Sequence, residues 1–149
     1  MKTKWRASAY AGAVTARGPK TSDRLRVRRV YDEPDAADGL RVLVDRLWPR
    51  GLSKEAARVD LWAKALAPSD ALRRAVHSDP TYPDDPARWR AFLTAYRAEL
   101  EQLSDPAAVD AQTRIKAGLE AGTVTLLYAS TRVDRNHAAA LRDWLLARS

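Results

Sequence analysis

Two short apolar runs constrain the fold more than anything else in this chain: Val42-Leu43-Val44 within RVLVDRL (41–47), and TVTLLYAS (123–130). Neither alternates with polar residues at its centre. An unbroken run of this length suits a strand covered on both faces, which is the habit of parallel sheets. Parallel neighbours need a long crossover, and the residues between the two runs carry helical periodicity. The expected fold is therefore α/β: a single three-layer domain with a small, mostly parallel sheet flanked by helices.

The rest of the chain is read around those strands. Residues 25–31 mix Leu, Val and Tyr with arginines, as an edge strand does, and Arg24, Arg26 and Arg28 read as its solvated face. Residues 31–39, YDEPDAADG, are a loop by their Asp, Pro and Gly content. Trp48-Pro49-Arg50-Gly51 ends the first central strand, because Pro49 has no N–H to give a ladder. Ser53 opens a short helix. Residues 60–67 are predicted helical, with Leu61, Trp62, Ala65 and Leu66 on one face. A helix over 70–77 follows the Pro68-Ser69 break, and 79–86 is a turn-rich connector. Residues 87–103 are amphipathic, and Trp89, Phe92, Tyr96 and Leu100 fall at core spacing. Asp105 caps a helix that has Pro106 in its first turn and ends at Gly122. Asp134 or Asn136 opens the last helix, with Leu141 and Trp144 inward.

Composition narrows the function classes. At 149 residues, one domain with a real core is expected. No apolar run approaches the roughly 18 residues that cross a bilayer, so no membrane role is expected. There is no cysteine, which removes disulfides, thiolate metal sites and a cysteine nucleophile. The segment 7–16 is too poor in leucine for a signal-peptide core, and a cytoplasmic location is expected. The +7 net charge is uneven: residues 1–24 hold six basic residues against Asp23 alone, +5, and leave +2 for the remainder. Residues 1–24 read as a basic, disordered extension, and 25–149 as the α/β domain.

In open parallel sheets ligands bind beyond the carboxyl ends of the strands. Two polar segments follow such ends here, 45–51 and 128–137. Arg46 and Arg50 offer guanidinium forks for a phosphate or carboxylate. Trp48 offers a flat stacking face, and the N–H groups at the start of the last helix favour negative charge. Asp45 is the candidate base or arginine-orienting group, and His137 the candidate proton carrier. Gly51, Tyr128, Ser130, Arg132 and Asn136 complete the candidate ligand-binding set. His77 and Asp79 read as a helix end followed by a turn. No metal site is assigned and no cofactor is named, since two histidines 60 positions apart are a weak metal case. G-x-S-x-G, G-x-G-x-x-G and phosphate-loop motifs are absent.

The stretches YDEPDAADGLRVLVDRLWPRGLSKEAARVDLWAKALAPSDALR, His77-Ser78-Asp79-Pro80, WRAFLTAYRAEL and GTVTLLYASTRVDRNHAAALRDWL resemble domain-of-unknown-function family 488, in its short YeaO-like branch. The resemblance covers roughly residues 25–146. It implies a three-layer α/β fold with a parallel sheet, and no particular activity. The family's recurrent polar residues fall on Asp45, Arg46, Trp48, Pro49, Arg50, Gly51, Tyr128, Asn136 and His137. Two departures stand out. The family's His-Asp-Pro is one residue longer here, and its Lys-Asp text after the second strand is replaced by Thr131-Arg132-Val133-Asp134. Three functions fit this reading. The first is a protein that binds, and as an enzyme acts on, a small anionic ligand. The second is a nucleic-acid-binding module using the basic N-terminus, and the third is a ligand sensor without turnover. The residue types do not separate enzyme from sensor, and the oligomeric state is not legible.

Overall fold

The two apolar runs lie side by side as the central pair of one sheet. The structure is a computed structural model, and it describes residues 20–148. Strands β1 (Leu25–Arg29), β2 (Leu40–Leu43), β3 (Leu61–Trp62) and β4 (Val124–Tyr128) pair in the order β1-β4-β2-β3, all parallel. Leu126 of β4 stands between Val27 of β1 and Val42 of β2. The helices among the described residues are α1 (Thr21–Arg24), α2 (Lys54–Ala57), α3 (Asp70–His77), α4 (Pro86–Glu101), α5 (Pro106–Ala121) and α6 (His137–Ala147). None is long and apolar enough to cross a membrane.

Burial on both faces explains the unbroken runs. Val42, Val44, Val124, Leu126 and Tyr128 turn toward the larger core, which they share with Phe92, Tyr96, Ile115, Leu141 and Trp144 of α4, α5 and α6. Leu43 and Leu127, the alternate residues, meet Val30, Ala57, Trp48 and Trp62 in a smaller core. The helical pieces on this second side are short: α2 and the 3-10 turn Ala36–Asp38. The expected caps are in place, with Ser53 on α2, Asp105 on α5 and Asn136 on α6, and Ser69, read only as part of a break, caps α3.

Three expectations need correction. Residues 60–67 are not helical, because β2 has a free edge there and Leu61–Trp62 fills it, opposite Val42 and Leu43. Ladder pairing outweighs a helical spacing only two turns long, and the rest of the segment tightens into a 3-10 turn at Lys64–Leu66. The first central strand ends at Leu43 rather than Leu47, and Val44 makes the last bond of that edge, its N–H donating to Leu127 O at 3.0 Å. Arg26 and Arg28 are partly exposed but engaged, not a freely solvated face. Arg28 Nη1 donates to the fully buried Asp38 at 2.8 Å, and Arg26 donates to Ala37 O.

Of the N-terminal extension expected over 1–24, residues 1–19 lie outside the described residues, and Thr21–Arg24 form one helical turn. Arg24 of that turn donates to Leu119 O and Gly122 O.

Candidate functional site

After β2 the chain leaves toward β3, whereas after β4 it turns into α6, which packs over β4 and β1. Paths that diverge from neighbouring parallel strands open a crevice at their carboxyl ends. A cleft of about 640 Å³ lies there. Asp45, Arg46, Trp48 and Arg50 line it from the β2 side, and Ser130, Arg132, Asn136 and His137 from the β4 side. The two polar segments therefore do meet. Two of the sequence candidates stand outside the wall. Gly51 takes a φ of +75° that turns the chain after Arg50. Tyr128 is the buried last residue of β4, where burial pushes its hydroxyl pKa up.

Asp45 and His137 are in contact, and each also bonds a backbone group that ties the two strand ends together, while Asp45 Oδ1 has no hydrogen-bond partner. Asp45 Oδ2 accepts from the Ala129 N–H at 3.0 Å, and the Asp45 carbonyl accepts from Trp62 Nε1 at 2.8 Å. His137 Nε2 lies 3.1 Å from Val44 O; a carbonyl only accepts, so this nitrogen carries the hydrogen. Asp45 Oδ1 is also 2.9 Å from Nε2 but lies off the hydrogen-bond direction. Asp45 does not orient an arginine: Arg46 donates to Pro68 O at 3.1 Å and stands 3.9 Å from Asp70.

The other candidates divide between structure and cleft. Asn136 is buried and engaged, with Oδ1 capping Ala139 and Nδ2 donating to Arg132 O. Ser130 Oγ accepts from the Arg132 N–H. Trp48 is tied by Nε1 to Leu52 O at 2.6 Å and meets Trp62 edge-on at 5.4 Å, so the smaller core occupies much of it. Arg132 pairs with Asp134 at 3.3 Å and Asp84 at 3.0 Å, and the Asp134 hydrogen bond leads the causes that raise its pKa. Arg50 is exposed, and its guanidinium has no partner among the described residues.

The sequence reading missed a third wall. Arg73, Val76 and His77 of α3 face the cleft, spaced i, i+3 and i+4 as one helix face requires. Behind them Trp89 stacks on Phe92 of α4, with ring centroids 4.8 Å apart and planes 13° from parallel. Both rings were read as packing only; they pack and also line the cleft. The spacing of Arg73, Val76 and His77 was visible, but which way α3 would turn was not. His77 thus joins the site, while Asp79 does not line it. Asp79 instead accepts from Arg88 at 2.6 Å and from Thr81, and these hydrogen bonds hold its carboxyl at about 2. An NMR pH titration is expected to find that midpoint, and Arg88→Ala should return it toward the ordinary carboxylate range. An unchanged midpoint in the variant would show that the Arg88 contact does not persist in solution.

Among the described residues no three His, Cys, Asp or Glu side chains cluster to hold a metal ion.

Fold and site together define a small α/β protein with an arginine-lined cleft where its strand paths diverge. The chain belongs to the DUF488 family: residues 24–149 match the group described as "Inactive DUF488-N3 subclade". It is 38% identical over 121 residues to Uncharacterized protein YeaO of Escherichia coli (strain K12), covering 81% of this chain and 96% of that protein. It is 42% identical over 125 residues to Uncharacterized protein Rv3073c of Mycobacterium tuberculosis (strain ATCC 25618 / H37Rv), covering 84% and 96%. Uncharacterized protein Mb3100c of Mycobacterium bovis (strain ATCC BAA-935 / AF2122/97) is similar to the same degree. No solved structure matches the chain.

Proposed function

We propose that this protein binds a small anionic ligand, one bearing a phosphate or carboxylate, in the cleft at the strand ends, and that it does so without turnover. One observation carries this reading. The lining includes five arginines, Arg46, Arg50, Arg73, Arg132 and Arg135, against Asp45; Arg132 is paired with Asp84 and Asp134, Arg46 and Arg73 flank Asp70, and Arg50 is the guanidinium without a partner among the described residues. A cleft with an excess of one sign and low-dielectric walls concentrates counter-charge. The side chains best suited to proton transfer, Asp45 and His137, face each other and the backbone, which favours a supporting role over chemistry. The word "inactive" in the subclade's description accords with a sensor or carrier. A cytoplasmic setting, in keeping with the absence of cysteine, completes the proposal.

The nucleic-acid alternative gains no support from β1, whose Arg26 and Arg28 are engaged by Asp38 and Ala37. Its remaining basis is the extension, most of which lies outside the described residues.

Arg50 gives the direct test. Its guanidinium has no partner among the described residues, and the Tyr31 hydroxyl bonds its backbone carbonyl, which alanine keeps, so Arg50→Ala should leave stability within about 0.5 kcal/mol. A lost charged hydrogen bond to an anion contributes about 1.5–3 kcal/mol, so affinity should fall about tenfold or more. Calorimetric titration of both proteins with inorganic phosphate, phenyl phosphate and acetate checks this. A folded variant with unchanged affinity, or an unaltered protein that binds none of the three, overturns the proposal. Any bound ligand should be recovered chemically unchanged.

A further inference from the structure

The cleft has two zones. The arginines form one, and the other is apolar: Val76 at the end of α3, Pro80 and Pro83 in the connector after it, and Trp89 stacked on Phe92 in α4. Phe92 and Pro83 are buried and form a rigid backing, while Trp89 is only half-buried. Simple anions are fully hydrated and gain nothing from such a wall. A flat ring gains both the burial of its faces and contact with an aromatic system. The zones are joined on one element, because Arg73 and His77 flank Val76 on the same face of α3. His77 is exposed and has no partner among the described residues. Arg73 reaches Asp70 only at 3.5 Å through Nη2, and its Nε is buried without a hydrogen-bond partner. A buried N–H without an acceptor is uncommon in folded proteins and calls for an explanation. An acid group settling at this end of α3 would supply nearby negative charge and the acceptors to which the guanidinium can turn. Trp48 was the expected stacking face, but it is tied to Leu52 and Trp62; the α4 ring pair takes that place.

We propose that the cleft selects ring-bearing acids over simple anions: the acid lies against Arg73, His77 and Arg50, and the ring against Val76 and Trp89. This rests on the anion-binding reading above and narrows its ligand class.

The test compares inorganic phosphate with phenyl phosphate, and acetate with benzoate, by calorimetry on the full chain. Each ring-bearing acid should bind about tenfold more tightly than its simple counterpart. Trp89→Leu keeps an apolar side chain while removing the ring, and should bring that ratio down to about threefold or less. If removing the ring unsettles α4, visible as a lower melting temperature, Val76→Ser probes the same wall from α3 and should reduce the ratio as well. Equal affinity for simple and ring-bearing acids in the unaltered protein would overturn this inference and leave the anion-binding proposal standing. A ratio that survives in both variants would also overturn it. Failure of every acid to bind would remove both.

Discussion

Replacing Asp38 with alanine is expected to destabilise the protein by about 3–5 kcal/mol, the range for a buried ion pair broken from one side. Asp38 is fully buried, and its carboxylate receives Arg28 at 2.8 Å and Arg41 at 2.5 Å, with Arg26 at 3.8 Å. Arg41 is itself 4% exposed and spends its other donors on Ala57 O and Arg58 O. Without the carboxylate, a guanidinium is left in the interior facing only carbonyls. The same group links β1 to β2 across β4, since Thr125 Oγ1 donates to the Asp38 carbonyl at 2.7 Å. Chemical denaturation should show the loss as a lower midpoint. In a thermal scan it should appear as a fall of roughly 4 °C per kcal/mol for a domain of this size.

The pH dependence gives this prediction a second readout. Burial alone would push the Asp38 carboxyl up, but the hydrogen bonds from Arg28, the Asp35 N–H and Arg41 outweigh it, and the pKa is lowered from the ordinary 3.8. A carboxyl depressed in the folded state stabilises fully above its unfolded value. That contribution is lost as pH falls from about 3.8 through the lower folded value. The unaltered protein should therefore lose stability steeply below about pH 4. Asp38→Asn, which cannot ionise, should be destabilised at neutral pH and lose less than the unaltered protein on acidification. Parallel acid profiles for the two proteins would place the titrating group elsewhere.

How much of this was legible in the letters depends on the range of the interaction. Val42-Leu43-Val44 and 124–128 announced themselves because two-sided burial leaves a run without polar residues. The caps at Ser53, Asp105 and Asn136 were legible because each acts on backbone two or three residues away. Leu61–Trp62 was not. Its helical spacing is real, and only the free edge of β2, some 19 residues earlier, decides against it. The site followed the same rule. Asp45 and His137 were identified from strand ends, and their convergence required only that β2 and β4 be neighbours. What each does there was hidden, since the partners are backbone groups: Ala129 N–H for Asp45 and Val44 O for His137. Arg26 and Arg28 looked like a solvated stripe because Asp38, the residue that orders them, sits in a loop beyond the strand.

Gly39→Ala should be among the most damaging single-methyl additions to this fold, costing more than about 4 kcal/mol, a size reserved for a few specific mechanisms. Gly39 has a φ of +63° and a ψ of −131°, a backbone state that L side chains avoid. That strain alone is worth about 1–3 kcal/mol. The greater difficulty is space, since a Cβ would stand 2.0 Å from Thr123 O. That oxygen accepts the Leu40 N–H at 2.9 Å, the bond that begins the β2/β4 ladder, so neither partner can retreat without loss of pairing. Gly51→Ala is the matched comparison. Its φ is +75°, yet a Cβ there meets nothing within 4 Å, so only the conformational cost of about 1–3 kcal/mol applies. The excess in Gly39→Ala measures the close approach of β2 to the segment before β4, and equal losses at the two positions would refute it. The two glycines also differ in what they should do to binding. Gly51 follows the unpartnered Arg50, so a strained turn there displaces a ligand-facing guanidinium in an otherwise stable protein. Gly39 sets the start of β2, whose far end carries Asp45 to the Ala129 N–H. Any protein that still folds with Gly39→Ala would have to shift β2 against β4. Asp45 would then lose the Ala129 bond and its contact with His137 together, a change that NMR of the His137 ring would report.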